Sequence, residues 1–189
     1  MSKKLPRAER RAQLLETARE IARELGTDAL TLGALAERAG VSKPIAYTHF
    51  ESRSGLMIAL YKEINDRQIR DQQEALKRQP AELDEVAHVM AQAYMDCYAA
   101  VGPEWHAIGA ALKGDAQMEA YQREMVDGHV EFYRATLAPL SPLPNEEVRR
   151  RCIAIIGAAE ALSQGITHGC IGKDDAVTEL TSLITTWLR

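Results

Sequence analysis

The chain has 189 residues, of which 46% are hydrophobic and 26% charged, with a formal net charge of -4. That length fits one large domain or a small domain joined to a larger one, and the composition excludes an intrinsically disordered chain. No run approaches the roughly 18 to 20 uninterrupted apolar residues of a membrane-spanning helix, and the basic start MSKKLPRAERR lacks the apolar stretch of a secretory signal.

Cys97, Cys152 and Cys170 are odd in number and far apart. They are expected to be reduced, buried thiols of a cytoplasmic protein, not a disulfide framework. The net charge hides an asymmetry. Residues 1–53 carry ten Lys and Arg against seven Asp and Glu, a net of +3, which leaves -7 for the remainder. A basic end neutralises phosphates while an acidic body is repelled by them, so this partition points the N-terminus towards a nucleic acid.

Helical periodicity runs through the chain. Leu14, Ala18, Ile21 and Leu25 recur on one face of a first helix, which Gly26 closes. Thr31 caps a short second helix with Leu32, Leu35, Ala36 and Ala39 on its inner side, and Gly40 ends it. Ser42 is expected to cap a third helix, with Pro44 in its first turn, where a missing N–H costs little. Ser52 starts a fourth, containing Leu56, Met57, Leu60 and Ile64 and running to about residue 78. Beyond Pro80, breakers divide the remainder into helices near 82–100, 104–112, 116–137, 145–167 and 174–188. With no strand alternation the class is all-α.

Two short helices joined by a Gly-containing turn form a helix-turn-helix pattern. At 100° per residue, Ala46 and Phe50 lie together on the third helix. Pro44, Ile45 and Thr48 gather opposite them, flanked by Tyr47 and His49. One side thus seals the helix to a core. The other suits a DNA major groove: Pro44 and Ile45 for thymine methyls, Thr48 and His49 for base edges or phosphates, Tyr47 for a phosphate. Lys43 and Arg53, at successive helix starts, are placed to neutralise phosphates. Thr31 and Ser42 complete the DNA-contacting candidates.

Residues 30–61, LTLGALAERAGVSKPIAYTHFESRSGLMIALY, closely resemble the DNA-binding signature of the tetracycline-repressor (TetR) family of bacterial transcription regulators. Thr31, Ala36, Ala39, Gly40, Val41, Ser42, Tyr47, His49, Phe50, Ser52 and Leu56 match it. Arg53 stands where Lys is usual, and Gly55 where Ala is more common, a change that by helix propensity weakens the helix start by up to about 1 kcal/mol.

The resemblance implies a three-helix DNA-binding domain over residues 1–54 and a larger helical ligand-binding and dimerisation domain over 55–189. It further implies a homodimer on a near-palindromic double-stranded operator, and repression relieved by a small-molecule effector. One short helix touches too few base pairs for useful specificity, so two-fold pairing is required.

For the pairing surface, Gly157, Ala161 and Gly165 form a stripe of small residues, with Ile153, Ile156 and Ile166 nearby. Together with Leu180, Leu183, Ile184 and Trp187 of the last helix, this makes half of a four-helix interface. Glu160 belongs either to its rim or to a pocket. The central helices carry Tyr94, Cys97, Tyr98, Trp105, His106, Met118, Tyr121, Met125, His129, Phe132 and Tyr133, polarisable groups with a few polar anchors able to line an apolar cavity, of which Tyr94, Tyr98, Trp105, His106, Tyr121, Met125 and Phe132 are the candidate pocket residues.

Enzyme signatures are weak. Glu85 and His88 have the Glu-x-x-His spacing of helical dinuclear metal sites, but no second copy accompanies them. GCIGKDD lacks the phosphate-loop spacing. No metal, cofactor or catalytic residue is expected. Two functions are compatible with the residues: a ligand-responsive DNA-binding regulator, or a regulator that keeps the DNA-binding head but acts constitutively or under protein control.

Overall fold

The computed structural model describes residues 5–77, 82–101, 108, 109, 111 and 116–189. Among them eight α-helices have both ends described, α1 (Arg7–Leu25), α2 (Leu32–Arg38), α3 (Lys43–Phe50), α4 (Arg53–Leu76), α5 (Leu83–Val101), α6 (Ala116–Leu137), α7 (Asn145–Thr167) and α8 (Lys173–Leu188), and Ile108, Gly109 and Ala111 are helical as well. Short 3-10 turns at Thr27–Ala29 and Ala138–Leu140 complete the secondary structure, and no described residue is in a strand. The fold is all-α with an N-terminal helix-turn-helix. The helix expected near 104–112 lies largely outside the described residues.

Two compact units form by packing. One comprises residues 1–64 and 103–122, the other residues 65–102 and 123–189. In the first, the apolar stripe of α1 is buried at Leu14, Ala18 and Ile21. It fails at its end, since Leu25 is 63% exposed in the last turn before Gly26 diverts the chain. Gly26 has φ +81, a conformation that glycine adopts without steric penalty.

The turn between α2 and α3 follows from local chemistry. Thr31 Oγ1 accepts from Ala34 N at 3.1 Å, capping α2. At its other end Gly40 has φ +63, Gly40 N donates to Glu37 O, and Val41 N donates back to Ala36 O at 2.9 Å. These paired bonds form a Schellman closure. Ser42 begins α3 through its backbone, but its side chain makes no capping bond, contrary to the expectation from sequence. The next-but-one residue, Pro44, has no N–H to give, and Ile45 N donates to the Ser42 carbonyl instead.

The exit from α3 is tight. Glu51 has φ 63 and ψ -45, and Ser52 N donates to Phe50 O at 2.6 Å, the positive-φ form of a γ-turn, which is rare and strained for a side-chain-bearing residue. Glu51→Gly is therefore expected to raise stability by about 0.5 to 1 kcal/mol, the relieved strain exceeding glycine's entropy cost. Urea unfolding of both proteins checks this, and an unchanged or lower midpoint would show that Glu51 is not strained. Immediately afterwards Ser52 Oγ accepts from Gly55 N at 3.0 Å and caps α4.

The second unit is organised around one apolar cluster contributed by α5, α6, α7 and α8, including Met90, Met95, Val130, Ile155, Leu180 and Ile184. Cys97 and Cys152 are buried, and burial pushes both thiols up to about 11. Cys170 is exposed, unlike the expectation for it. It follows Gly169 (φ +70) in a second Schellman closure, with Cys170 N donating to Gly165 O, and this turn carries it off the end of α7. Among the described residues no helix is long and apolar enough to cross a membrane.

Candidate nucleic-acid interface

Helix α3 divides by face. Ala46 is fully buried and Phe50 nearly so, while Ile45 is 37% and Tyr47 52% exposed. Ser42, Lys43, Pro44 and Thr48 are also exposed and His49 is half-buried. Anchoring two residues one turn apart leaves the remaining side chains of an eight-residue helix pointing away from the core. Thr31, capping α2, is exposed as well.

The hydroxyl of Thr48 donates to the Pro44 carbonyl at 2.8 Å. Its proton is thus engaged within the helix, and the oxygen remains an acceptor, suited to the amino group of adenine or cytosine more than to a base carbonyl. Arg53 is half-buried, and its Nε and Nη2 donate to Leu30 O and Thr27 O at 3.0 and 2.8 Å. The guanidinium thereby ties the start of α4 to the 3-10 turn between α1 and α2. Its charge stays in place, but two of its donors serve the fold.

A basic group on α1 was not assigned to the site from the sequence. Arg11 Nη1 donates to His49 O at 3.0 Å, and its guanidinium lies 5.0 Å from the Phe50 ring centroid. It satisfies a last-turn carbonyl of α3 and holds the helix end by charge against ring. Burial, and then Arg7, Arg11 and Arg10, hold the His49 imidazole below the ordinary histidine pKa. These arginines therefore share the neighbourhood of His49. Their spacing of i, i+3 and i+4 on α1 was the available signal, but that they reach the end of α3 is a tertiary fact.

The pocket candidates divide between the two units. Tyr94, Tyr98, Met125 and Phe132 belong to the second unit and Tyr121 to the first. Trp105 and His106 lie outside the described residues. Tyr94 is buried, and its hydroxyl is 3.0 Å from that of Tyr98 and 3.4 Å from Glu160 Oε2. Glu160 also accepts from Gln164 Nε2 at 3.1 Å. Phe132 packs edge-on to Tyr133, while Met125 is half-buried.

Of the small stripe on α7, Gly157 and Ala161 are exposed, and a Cβ at Gly157 would meet nothing within 4 Å. Gly165 faces its own chain, where a Cβ would lie 3.1 Å from Ile171 Cγ2. Trp187 is 40% and Ile153 47% exposed, Leu183 is half-buried, and Leu180 and Ile184 are buried within the unit. Glu85 and His88 are exposed, and no group of three or more metal-ligating side chains occurs among the described residues.

Comparison with known proteins agrees with this geometry. Residues 14–60, which hold α2, the turn and α3, match the family model of bacterial regulatory proteins of the tetR family. The HTH-type transcriptional activator FasR of Mycolicibacterium smegmatis is 40% identical over 74 residues, covering 39% of this chain and 34% of that protein. The match therefore spans about a third of the relative's length.

Among solved structures, a Rhodococcus sp. protein assigned to the TetR-family transcriptional regulators superimposes with TM-score 0.80 at 19% identity, over 96% of this chain and 100% of its own. A tetR-family transcriptional regulator from Streptomyces coelicolor gives 0.75 at 19%, over 97% and 82%. The fatty acid degradation regulator FadR from Bacillus halodurans gives 0.73 at 17%, over 99% and 97%. These likenesses concern the fold. Residues 14–60 thus match the tetR family of bacterial regulatory proteins, and along nearly its whole length the chain shares its fold with these solved structures.

Proposed function

We propose that the chain is a DNA-binding transcriptional repressor that acts as a homodimer and leaves its double-stranded operator when a small-molecule effector binds. In this reading residues 1–54 bind DNA, and residues 55–189 bind the effector and the second subunit. The observation that carries it is the outward face of α3, where Ile45 and Tyr47 remain exposed on a helix whose other side is sealed. Large apolar and aromatic groups beside Lys43 and the α1 arginines suit a groove wall lined by phosphates.

The test is a mobility shift with the DNA flanking the chain's own gene, titrated with a panel of small molecules. Loss of the shift with one of them supports the proposal, whereas no shift at low salt removes it. Binding that no ligand disturbs would favour a constitutive regulator. An activator is the second reading, because the curated relative FasR is an activator. Transcription in vitro from the shifted template separates the two by the sign of the effect.

Lys43→Ala is expected to weaken operator binding similarly across sequences and to reduce the slope of log affinity against log salt by about 1, because one phosphate contact is lost. Its unfolding midpoint should match the parent, since Lys43 is exposed. An unchanged slope would place the side chain away from the backbone of the DNA.

His49 supplies a pH signature. Its pKa is lowered in the free protein, and a neighbouring phosphate favours the charged imidazole, so binding takes up a proton and affinity rises as pH falls from 8 towards 6. One proton limits the slope to about tenfold per pH unit. His49→Gln should flatten it, and a slope that survives this substitution assigns the proton elsewhere.

For the dimer, the exposed patch of Ile153, Gly157, Ala161 and Trp187 supports an interface between copies. Since Gly157 has open space around it within its own chain, Gly157→Leu should dissociate the dimer while the protomer stays folded. Sedimentation of an intact dimer at micromolar concentration would move the interface to another face.

A further inference from the structure

The interior of the second unit holds a row of polar side chains that the chain itself bonds incompletely. On α4, Asn65, Gln68 and Gln72 follow at i, i+3 and i+7, one face of the helix, and they are 6%, 1% and 0% exposed. On α6, His129 and Tyr133 stand one turn apart, 4% and 0% exposed. Gln72 Nε2 donates to the Tyr133 hydroxyl at 3.5 Å, which joins the two rows at this point. Gln68 and His129 each lie about one helical turn from that contact and Asn65 about two.

Four atoms of this row have no hydrogen-bond partner among the described residues: Asn65 Oδ1, Gln68 Nε2, Gln72 Oε1 and His129 Nε2. A buried donor or acceptor left unmatched costs about 1 to 3 kcal/mol, whereas a leucine or methionine there would cost nothing of that kind. Four such atoms on two helix faces joined by a hydrogen bond are far more than packing requires. Their chemistry is that of a site presenting both a donor and acceptors to a guest.

The row is also without formal charge. His129 Nδ1 donates to the Met125 carbonyl, and burial lowers its pKa to about 4, so Nε2 is a lone-pair acceptor at neutral pH. Among the described residues no charged side chain influences either His129 or Tyr133. The surrounding cluster, with Met90, Met95 and Val130, is apolar. A carboxylate, phosphate or ammonium entering here would lose its hydration and gain no counter-charge. A hydroxyl, carbonyl or carboxamide would exchange water for Gln68 and its neighbours at little loss.

We propose that this row is the polar anchor of the effector site, and that the effector is uncharged, an apolar body bearing a neutral hydrogen-bonding group that meets Gln68, Gln72 and His129. The inference rests on the reading of the chain as an effector-responsive regulator and adds to it the residues of the site and the class of ligand. To His129 and Tyr133, which the sequence places among the groups able to line a cavity, the anchor adds Asn65, Gln68 and Gln72 of α4, which it does not.

The experiment titrates the full chain at pH 8 with three probes of equal length, 1-octanol, octanoate and octylammonium, by calorimetry, for the parent and for Gln68→Met and Gln72→Met. 1-Octanol is expected to bind at least about tenfold more tightly than either ion. Each variant should bind 1-octanol about tenfold more weakly, and the thermal midpoint of Gln68→Met should stay at or above the parent's, because a buried unmatched group has been removed. The inference is overturned if octanoate or octylammonium binds as well as the alcohol, if both variants bind the alcohol unchanged, or if none of the three binds.

A mobility shift run beside the titration separates this inference from the reading beneath it. A protein that shifts its DNA but fails the octanol test loses only the inference. One that binds octanol through Gln68 yet shifts no DNA keeps the site and loses the regulator.

Discussion

Acidification from pH 7 to 4 is expected to remove about 3 kcal/mol of stability through His129 alone. In the folded chain burial lowers this imidazole from 6.5 to about 4, whereas in the unfolded chain it titrates at its ordinary value. Between those two pH values the unfolded state holds a proton that the folded state does not. Unfolding therefore takes up a proton, and stability falls as the pH drops below 6.5, levelling off below about 4. Each pH unit in that window contributes about 1.4 kcal/mol. Carboxylates add their own dependence at the lower end, so the diagnostic is a difference. His129→Gln, neutral throughout, should show a shallower decline in urea-derived stability from pH 6.5 to 4.5 than the parent does. Parallel curves for the two proteins would mean that the imidazole reaches solvent.

Gly55→Ala is expected to destabilise the chain by about 2 to 3 kcal/mol, although helix propensity alone favours alanine by up to about 1 kcal/mol. The obstacle is backbone. A Cβ on Gly55 would stand 2.1 Å from the Phe50 carbonyl oxygen and 3.4 Å from Ser52 Oγ. The positive-φ turn at Glu51 folds that carbonyl over the first turn of α4, where it accepts from Ser52 N, and a carbonyl already bonded does not swing aside like a flexible side chain. Gly128→Ala is the matching control: it lies inside α6 with nothing within 4 Å of the added carbon, and is expected to gain about 0.5 to 1 kcal/mol. Combining Glu51→Gly with Gly55→Ala should recover part of the loss, since residues sharing one turn are not additive. A Gly55→Ala protein as stable as its parent would show that the turn relaxes at little cost.

Much of this architecture was readable from residue order, because the signals are local. The period of Leu14, Ala18 and Ile21, the Thr31 cap, the Gly40 reversal and the split of α3 into Ala46 and Phe50 against its other residues depend on neighbours within a few positions. Local rules failed where the outcome depended on which group reached an atom first. Ser42 was expected to cap α3, but the Pro44 ring removes one N–H and the Ser42 carbonyl takes the next. Leu25 continues the stripe of α1 in sequence and is nevertheless exposed at the helix end.

Sequence by itself therefore determined the helical class, the helix-turn-helix and the outward identity of α3, since each follows from hydrophobic period and turn chemistry over short spans. Only the tertiary structure decided that Arg53 clamps the Thr27 and Leu30 carbonyls, that Arg11 closes the end of α3, and that Gln72 of α4 reaches the Tyr133 hydroxyl. Arg11 and His49 are 38 positions apart, and Gln72 and Tyr133 are 61 apart. Whether polar groups so distant in the chain meet, and whether they find partners when they do, depends on how whole helices pack, which no local pattern of residues records.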